Sequence, residues 1–134
     1  MAIKLVVFDL DGTLIDSVAD ICAAVNYGME PYGVAPVTIE ETKASVGEGV
    51  STLVAKLLAL KGATSANKEE IVKRTLEYYA AHLVTFTTIY PQVRETLDHL
   101  RDVKKAVVSN KLTSFAADIL EALDLSKYFD LLVA

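Results

Sequence analysis

Short apolar runs at three places along the chain predict strands. Residues 4–9, "KLVVFD", are rich in valine and predict a strand that is buried on both faces, as in a parallel sheet. Residues 104–110, "KKAVVSN", and residues 128–134, "YFDLLVA", predict two further strands. Lys104 and Lys105 are interpreted as a solvated strand start. Helical periodicity before the second strand and after it predicts one helix in each position.

The stretch between the first strand and these later elements is predicted to be helical throughout. It contains no confident strand and several amphipathic segments. Ser17 is a candidate N-cap for the first of these helices, and Gly33 is a candidate stop. Thr38 followed by Glu41 has the spacing of a capping box. The stretch therefore predicts a helical block inserted after the first strand.

The order strand, helix, strand, helix, strand is typical of a parallel sheet with right-handed crossovers. The predicted fold class is α/β, a parallel Rossmann-like sheet of three strands with an inserted α-helical block. Residues 1–15 and 86–134 are expected to form this incomplete core, and residues 16–85 the helical block. An insertion at this point lies at the carboxyl edge of the sheet, where open α/β sheets bind ligands.

Composition and charge narrow the function classes. The chain has 134 residues, is 52% hydrophobic and has a net charge of −5, which argues against disorder and against a basic nucleic-acid-binding surface. No apolar run is long enough to span a membrane, and the first residues do not resemble a signal peptide, so we expect a cytoplasmic protein. The single cysteine, Cys22, lies on an apolar stripe and is expected in the core.

The most informative segment is "VVFDLDGTLIDS", residues 6–17. Asp9 ends the first strand and Asp11 lies two residues further on, so two carboxylates repel each other unless a cation offsets their charge. Gly12 permits a tight turn, and Thr13 offers a hydroxyl and a backbone N–H group to an anion. The alternative is that Asp11 and Gly12 form only a turn after a strand.

This segment resembles the first motif of the haloacid dehalogenase-like phosphohydrolases, D-x-D-G-T-L-x-D-S after a hydrophobic run. Residues 106–111, "AVVSNK", resemble the second motif, a strand that ends in Ser or Thr. The helical block resembles the α-helical cap of the same family. The resemblance runs through the chain in order, and it implies a phosphatase that uses Mg²⁺ and an aspartyl-phosphate intermediate.

The resemblance gives each site residue a role. Asp9 is expected to be the nucleophile, and Asp11 the general acid and then the general base. Both residues are expected to hold the Mg²⁺ ion, Asp11 through its backbone carbonyl. The remaining expected phosphate-binding residues are Leu10, Gly12, Thr13, Ser109, Asn110 and Lys111. For Lys111 an alternative is a solvated lysine at a helix start.

A second short segment bears on the substrate. Residues 45–54, "SVGEGVSTLV", have two glycines before a predicted helix start, and helix N-termini suit anions. The segment resembles the cap loop of phosphoglycolate phosphatases, so Gly47, Glu48 and Gly49 are candidate substrate contacts and 2-phosphoglycolate is the expected substrate. A plain helix-start loop is the alternative, and other small phosphorylated acids or sugars stay open.

The chain also departs from the family pattern. The family has a further lysine and an acidic pair after a fourth strand, whereas this sequence stops at Ala134. Without a fourth strand, one edge of the first strand is bare and can pair with another copy. The chain is thus a fragment, a short form completed by a partner, or an inactive fold. We expect these 134 residues alone to hydrolyse a phosphorylated substrate poorly. The alternative function is a non-catalytic, self-associating module. A receiver-type phospho-acceptor is a third possibility, which the helical block after the first strand disfavours.

Overall fold

The computed structural model describes residues 2–134 and divides them into two compact units. The core unit comprises the chain up to Ser17 together with Thr87–Ala134, and the helical unit comprises Val18–Phe86. The boundaries drawn from the sequence, 15/16 and 85/86, lie close to these positions. In chain order the elements are β1 (Leu5–Phe8), β2 (Ile15–Asp16), α1 (Val18–Met29), α2 (Ile39–Ser45), α3 (Val50–Leu60), α4 (Lys68–Ala81), β3 (Thr88–Ile89), α5 (Val93–His99), β4 (Lys104–Val108), α6 (Thr113–Ala122) and β5 (Leu131–Val133).

The core unit is built on a parallel sheet in the order β1-β4-β5. This confirms the predicted α/β fold class with three parallel strands. Both crossovers step across the sheet in the same direction, so right-handed connections place α5 and α6 on the same face. Buried Leu97 from α5 and Ile119 from α6 contribute to the core of this unit.

The opposite face of the sheet is open within the core unit. Leu5 and Val7 on β1 are 55% and 54% exposed, and Leu131 and Val133 on β5 are 58% and 49% exposed. The prediction that β1 is buried on both faces is therefore wrong for this face. The reason lies in the topology, since no helix of the core unit, over its described residues, crosses back to cover it.

Two cationic side chains of the core unit satisfy carbonyl groups at helix ends. Lys105 is 2% exposed, and its ammonium group donates to the carbonyl oxygens of Leu100 at 2.5 Å and Val103 at 2.7 Å. The interpretation of Lys105 as solvated is wrong, whereas Lys104 is exposed. Arg94 similarly donates to the carbonyl oxygen of Leu123 at 2.5 Å, just after α6. Cations suit these positions because the C-terminal end of a helix is electronegative.

A short antiparallel ribbon, β2 with β3, was not predicted from the sequence. It pairs the segment that leaves the core unit with the segment that returns to it. On the core side β2 pairs with β3, with Ile15 opposite Ile89. On the helical side the buried carboxylate of Asp20 accepts the backbone N–H of Phe86 through both oxygens, at 3.1 and 2.9 Å. In each unit, the segment next to the first connection is thus hydrogen-bonded to the segment next to the second connection.

The helical unit is held by packing between its helices, above all α1 against α4. The capping box at the start of α2 is present: Thr38 accepts from the Glu41 N–H, and Glu41 accepts from the Thr38 N–H. Cys22 is buried, as its apolar stripe predicts, and its thiol contacts the carbonyl oxygen of Val37 at 3.5 Å. Over residues 2–134, none of the helices combines the length and hydropathy that crossing a bilayer requires.

Gly28 allows α1 and α4 to approach closely. A Cβ atom at this position would lie 2.3 Å from Thr75 Oγ1 and 2.9 Å from the carbonyl oxygen of Ile71. The second of these atoms is backbone and cannot move away without shifting α4. Thr75 is itself buried, and in the described structure its hydroxyl oxygen has no hydrogen-bond partner.

Replacing Gly28 by Ala is expected to destabilise the protein by about 1–3 kcal/mol, because overpacking outweighs the gain in helix propensity. The measurement is the free energy of unfolding from urea denaturation. The matched control is Gly33→Ala, where an added Cβ meets nothing within 4 Å and only the left-handed backbone, φ +68°, opposes it. A Gly28→Ala variant as stable as the native sequence would contradict the close approach of the two helices.

Candidate active site

The first site segment begins where β1 ends. Asp9 is exposed, and its Oδ1 accepts the backbone N–H of Leu10 at 2.8 Å, while the Leu10 side chain is fully buried. Asp9 is thereby held at the carboxyl edge of the sheet by its own neighbour. An exposed carboxylate at a strand end is accessible to a ligand that approaches this edge.

A tight turn follows Asp9 and occupies the backbone N–H groups of Gly12 and Thr13, two of the expected phosphate-binding residues. The Gly12 N–H donates to the carbonyl oxygen of Ile15 at 2.9 Å, and the Thr13 N–H donates to that of Leu10 at 3.2 Å. Gly12 has φ +80°, a conformation that glycine adopts without steric cost. The turn takes both N–H groups, contrary to the prediction that the Thr13 N–H binds an anion.

Asp11 is held through both of its carboxylate oxygens. Its Oδ1 accepts a hydrogen bond from the Ser17 hydroxyl at 2.5 Å. Its Oδ2 lies 3.4 Å from the ammonium nitrogen of Lys111. The side chains of Asp11 and Lys111 are 17% and 8% exposed. The ion pair connects the loop after β1 with the loop after β4, so the structure brings the two sequence motifs together.

Lys111 is a buried cation rather than a solvated lysine at a helix start. Burial lowers the pKa of its ammonium group, and the charge of Asp11 and its hydrogen bond to Lys111 oppose this shift. Burial dominates because the free-energy cost of removing the charged ammonium group from water exceeds the stabilisation that a single nearby carboxylate provides. The solvated alternative is wrong, and contact of Lys111 with an anion stays a prediction.

Ser109 ends β4 at the same edge of the sheet. Phe8 pairs with Val107, so Asp9 and Ser109 follow this pair on neighbouring parallel strands. Ser109 is 8% exposed, and its hydroxyl oxygen accepts the backbone N–H of Lys111 at 3.1 Å. A serine that accepts through its oxygen keeps its proton to donate. The hydroxyl can therefore donate to an anion bound at this edge, beside the exposed Asn110.

The oxygen donors near Asp9 and Asp11 suit a magnesium ion that is coordinated partly by protein and partly by a ligand. They suit an ion coordinated by protein side chains alone less well. Over residues 2–134, no group of three or more His, Cys, Asp or Glu side chains is placed to hold a metal ion. Mg²⁺ commonly takes only one or two protein carboxylates and completes its shell with water and phosphate oxygens. Asp9 supplies one carboxylate and Asp11 a backbone carbonyl oxygen, so these two residues fit the expected ion.

The candidate substrate loop lies in the helical unit before α3. Gly47 and Gly49 have φ +135° and +89°, and Gly49 is the N-cap residue of α3. Glu48 forms an exposed ion pair with Lys56 at 3.3 Å. The positive φ angles explain why two glycines stand here, and a substrate contact of this loop stays a prediction.

The buried ammonium group of Lys111 predicts a pH dependence of stability. The unfolded chain, with an ordinary lysine pKa of 10.5, binds the proton more tightly than the folded protein does. The contribution of Lys111 to stability is therefore expected to rise with pH, from its lowered folded pKa up to 10.5. The measurement is the difference in free energy of unfolding between the native chain and Lys111→Met, followed from pH 7 to 10.5. The exposed Lys104→Met is the control for removing a lysine from the surface of the same unit; a flat Lys111 difference would contradict the burial of this charge.

Comparisons with known proteins agree with this arrangement. The profile described as haloacid dehalogenase-like hydrolase matches residues 6–134. A phosphoglycolate phosphatase from Aquifex aeolicus is 38% identical over 132 residues, covering 97% of this chain and 60% of that protein. One from Pseudomonas savastanoi pv. phaseolicola is also 38% identical and covers 94% of this chain and 48% of that protein.

A solved structure is similar over nearly the whole chain. The crystal structure of a predicted phosphoglycolate phosphatase from Haemophilus somnus superposes with a TM-score of 0.91 at 25% identity, covering 98% of this chain and 62% of that one. The chain thus spans between about half and three fifths of the length of these relatives. With the profile matched from residue 6 to residue 134, the chain belongs to the haloacid dehalogenase-like hydrolase family.

Proposed function

We propose that this chain carries the phosphate-handling part of a phosphatase that acts on small phosphorylated metabolites, with 2-phosphoglycolate as the substrate. The ion pair between Asp11 and Lys111, at 3.4 Å, is the observation that carries the proposal, because it joins the two loops that a phosphoryl group must contact. The names of the similar proteins support the choice of substrate. Other small phosphorylated acids are the competing substrates.

The proposed reaction has two displacements at phosphorus. In the first, a carboxylate oxygen of Asp9 forms a bond to phosphorus while the ester P–O bond breaks, and Asp11 donates a proton to the departing alkoxide. In the second, Asp11 removes a proton from a water molecule, which attacks phosphorus and releases Asp9 and inorganic phosphate. Ser109 donates a hydrogen bond to a phosphoryl oxygen, and Lys111 offsets the negative charge near Asp11.

A magnesium ion would be held by the Asp9 carboxylate and the backbone carbonyl of Asp11, and it supplies positive charge that offsets the charge of the phosphate. The exposure of Asp9 is consistent with this role. Since the chain spans only part of the length of its relatives, we propose that these 134 residues turn over more slowly than the longer proteins do.

Asp9→Asn is expected to lower magnesium-dependent hydrolysis of 2-phosphoglycolate at least ~10³-fold, because an amide cannot form the covalent intermediate. The assay measures phosphate release from a panel of phosphorylated acids and sugars, with and without Mg²⁺. Asp118→Asn, an exposed aspartate on α6, is the matched control and is expected to keep native activity. Equal rates for Asp9→Asn and the native chain would exclude Asp9 as the nucleophile.

A second candidate function is self-association, and the open sheet face favours it. Most of the exposed side chains on this face are apolar and lie on neighbouring strands; they are Leu5, Val7, Val108, Leu131 and Val133, and the exposed Lys104 lies opposite Leu5 at one end of the face. Monomeric proteins rarely leave a continuous apolar patch of this kind uncovered. β1 also presents an unpaired edge within the described sheet, where a strand from a second copy can add.

Val7→Lys is expected to shift the chain towards monomer, because it places a charge on the open face and on the strand with the unpaired edge. Sedimentation velocity over a range of protein concentrations measures the change. Leu60→Lys, which alters an equally exposed leucine on α3 at 56% exposure, is the control and should leave the association unchanged. A native chain that sediments as a monomer at every concentration would rule out this candidate.

A further inference from the structure

Ser17 carries a hydrogen bond that the proposed reaction has not yet used. Its hydroxyl donates to Asp11 Oδ1 at 2.5 Å, and the residue is only 3% exposed. Ser17 immediately precedes α1 and is a candidate N-cap for it, a role in which the hydroxyl oxygen accepts a hydrogen bond. The proton of this hydroxyl is donated to the carboxylate of Asp11, which leaves the capping prediction untested. A hydrogen bond to a charged acceptor is roughly twice as strong as one between neutral groups.

The two oxygens of Asp11 differ in the kind of partner that they have. Oδ1 meets a short, buried side chain with a single rotatable bond before its oxygen, whereas Oδ2 meets the end of a long lysine at 3.4 Å. A short side chain loses little rotamer freedom when it is fixed, and a lysine loses much. Ser17 is therefore the rigid partner of Asp11, and Lys111 is the partner that can exchange with a ligand or a proton.

The location of Ser17 in the fold supports the same interpretation. It is the last residue of the core unit, directly after β2. The pairing of β2 with β3 places Asp16 opposite Thr88 and fixes the backbone just before Ser17. The donor is thus held by a paired strand on one side and by the start of α1 on the other.

We propose that Ser17 is a positioning residue that fixes the rotamer of Asp11, so that Oδ2 is the oxygen that transfers the proton. Ser17 keeps its own proton throughout and forms no bond with substrate. The proposal deepens the phosphatase function and rests on it for the catalytic consequence. The effect of Ser17 on the Asp11 side chain does not depend on turnover and is measured separately.

The first experiment measures the Asp11 side chain directly. Three-bond couplings from Asp11 Cγ to its backbone nitrogen and carbonyl carbon report the χ1 rotamer by NMR. We expect couplings of a single rotamer in the native chain and in Ser17→Thr, which keeps the hydroxyl, and averaged couplings in Ser17→Ala. Ser45→Ala removes a hydroxyl that donates to the carbonyl oxygen of Glu41 in α2 and serves as the matched control.

The outcomes of this experiment are distinct. Native-like couplings in Ser17→Ala, or averaged couplings in the native chain, would overturn the positioning role. If Ser17→Thr does not fold because its added methyl group is overpacked, the comparison of Ser17→Ala with Ser45→Ala still decides, since neither variant adds an atom. Averaged Asp11 couplings in Ser45→Ala as well would show that the effect comes from general destabilisation. That result would also overturn the positioning role.

The second experiment measures catalysis with 2-phosphoglycolate and Mg²⁺. Ser17→Ala is expected to lower kcat about tenfold with KM little changed, because a misoriented acid affects the transition state and not substrate binding. Ser17→Thr should recover most of the rate. A raised KM at native kcat would overturn the positioning role. Absence of turnover in the native chain, combined with the expected couplings, would count against the phosphatase function while supporting the role of Ser17 at Asp11.

Discussion

The parallel pairing of β1 with β4 is the constraint on which the candidate site depends. It sets Phe8 beside Val107, and the two chain segments that follow therefore emerge at the same edge. One segment brings Asp9 and Asp11, and the other brings Ser109 and Lys111. Without this register the carboxylate of Asp11 would have no cation within reach, and a like-charged pair at one strand end would be costly.

Buried charge is accommodated in three ways in this small chain. Lys111 is paired with a carboxylate, Lys105 is satisfied by two carbonyl oxygens near a helix end, and Asp20 is satisfied by a backbone N–H. Each arrangement supplies partners that replace water, which buried ionic groups require. Lys111 lies at the site edge, and burial lowers the pKa of its ammonium group.

Much of the fold could be predicted from the sequence because its signals are local. The three parallel strands follow from apolar runs, and the start of α2 follows from the spacing of Thr38 and Glu41. Gly33, the predicted stop of the first helix, adopts φ +68° and ends the 3-10 helix Glu30–Tyr32, whereas α1 itself ends earlier, at Met29. Asp9 and Asp11 stood out because acidic residues are unusual directly after a buried strand. These features depend on neighbours within a few residues.

The features that the sequence did not predict depend on contacts between distant segments. The burial of Lys111 and of Lys105 is invisible in a local pattern, since a lysine at a strand end or strand start is ordinarily solvated. The strands β2 and β3 have two residues each, too few for any periodicity. The hydrogen bond from Ser17 to Asp11 joins residues six positions apart, and only the folded loop shows it.

The β2–β3 ribbon has a topological consequence. In the core unit it is a β-hairpin whose loop has been replaced by the whole of Val18–Phe86. Ends that already lie side by side can accept an insert of any length at a cost that grows only slowly with its size. The helical unit is thus exchangeable in principle: a two-residue turn could close the hairpin, and a different insert could occupy the same position, without altering the register of the strands that hold Asp9 and Ser109.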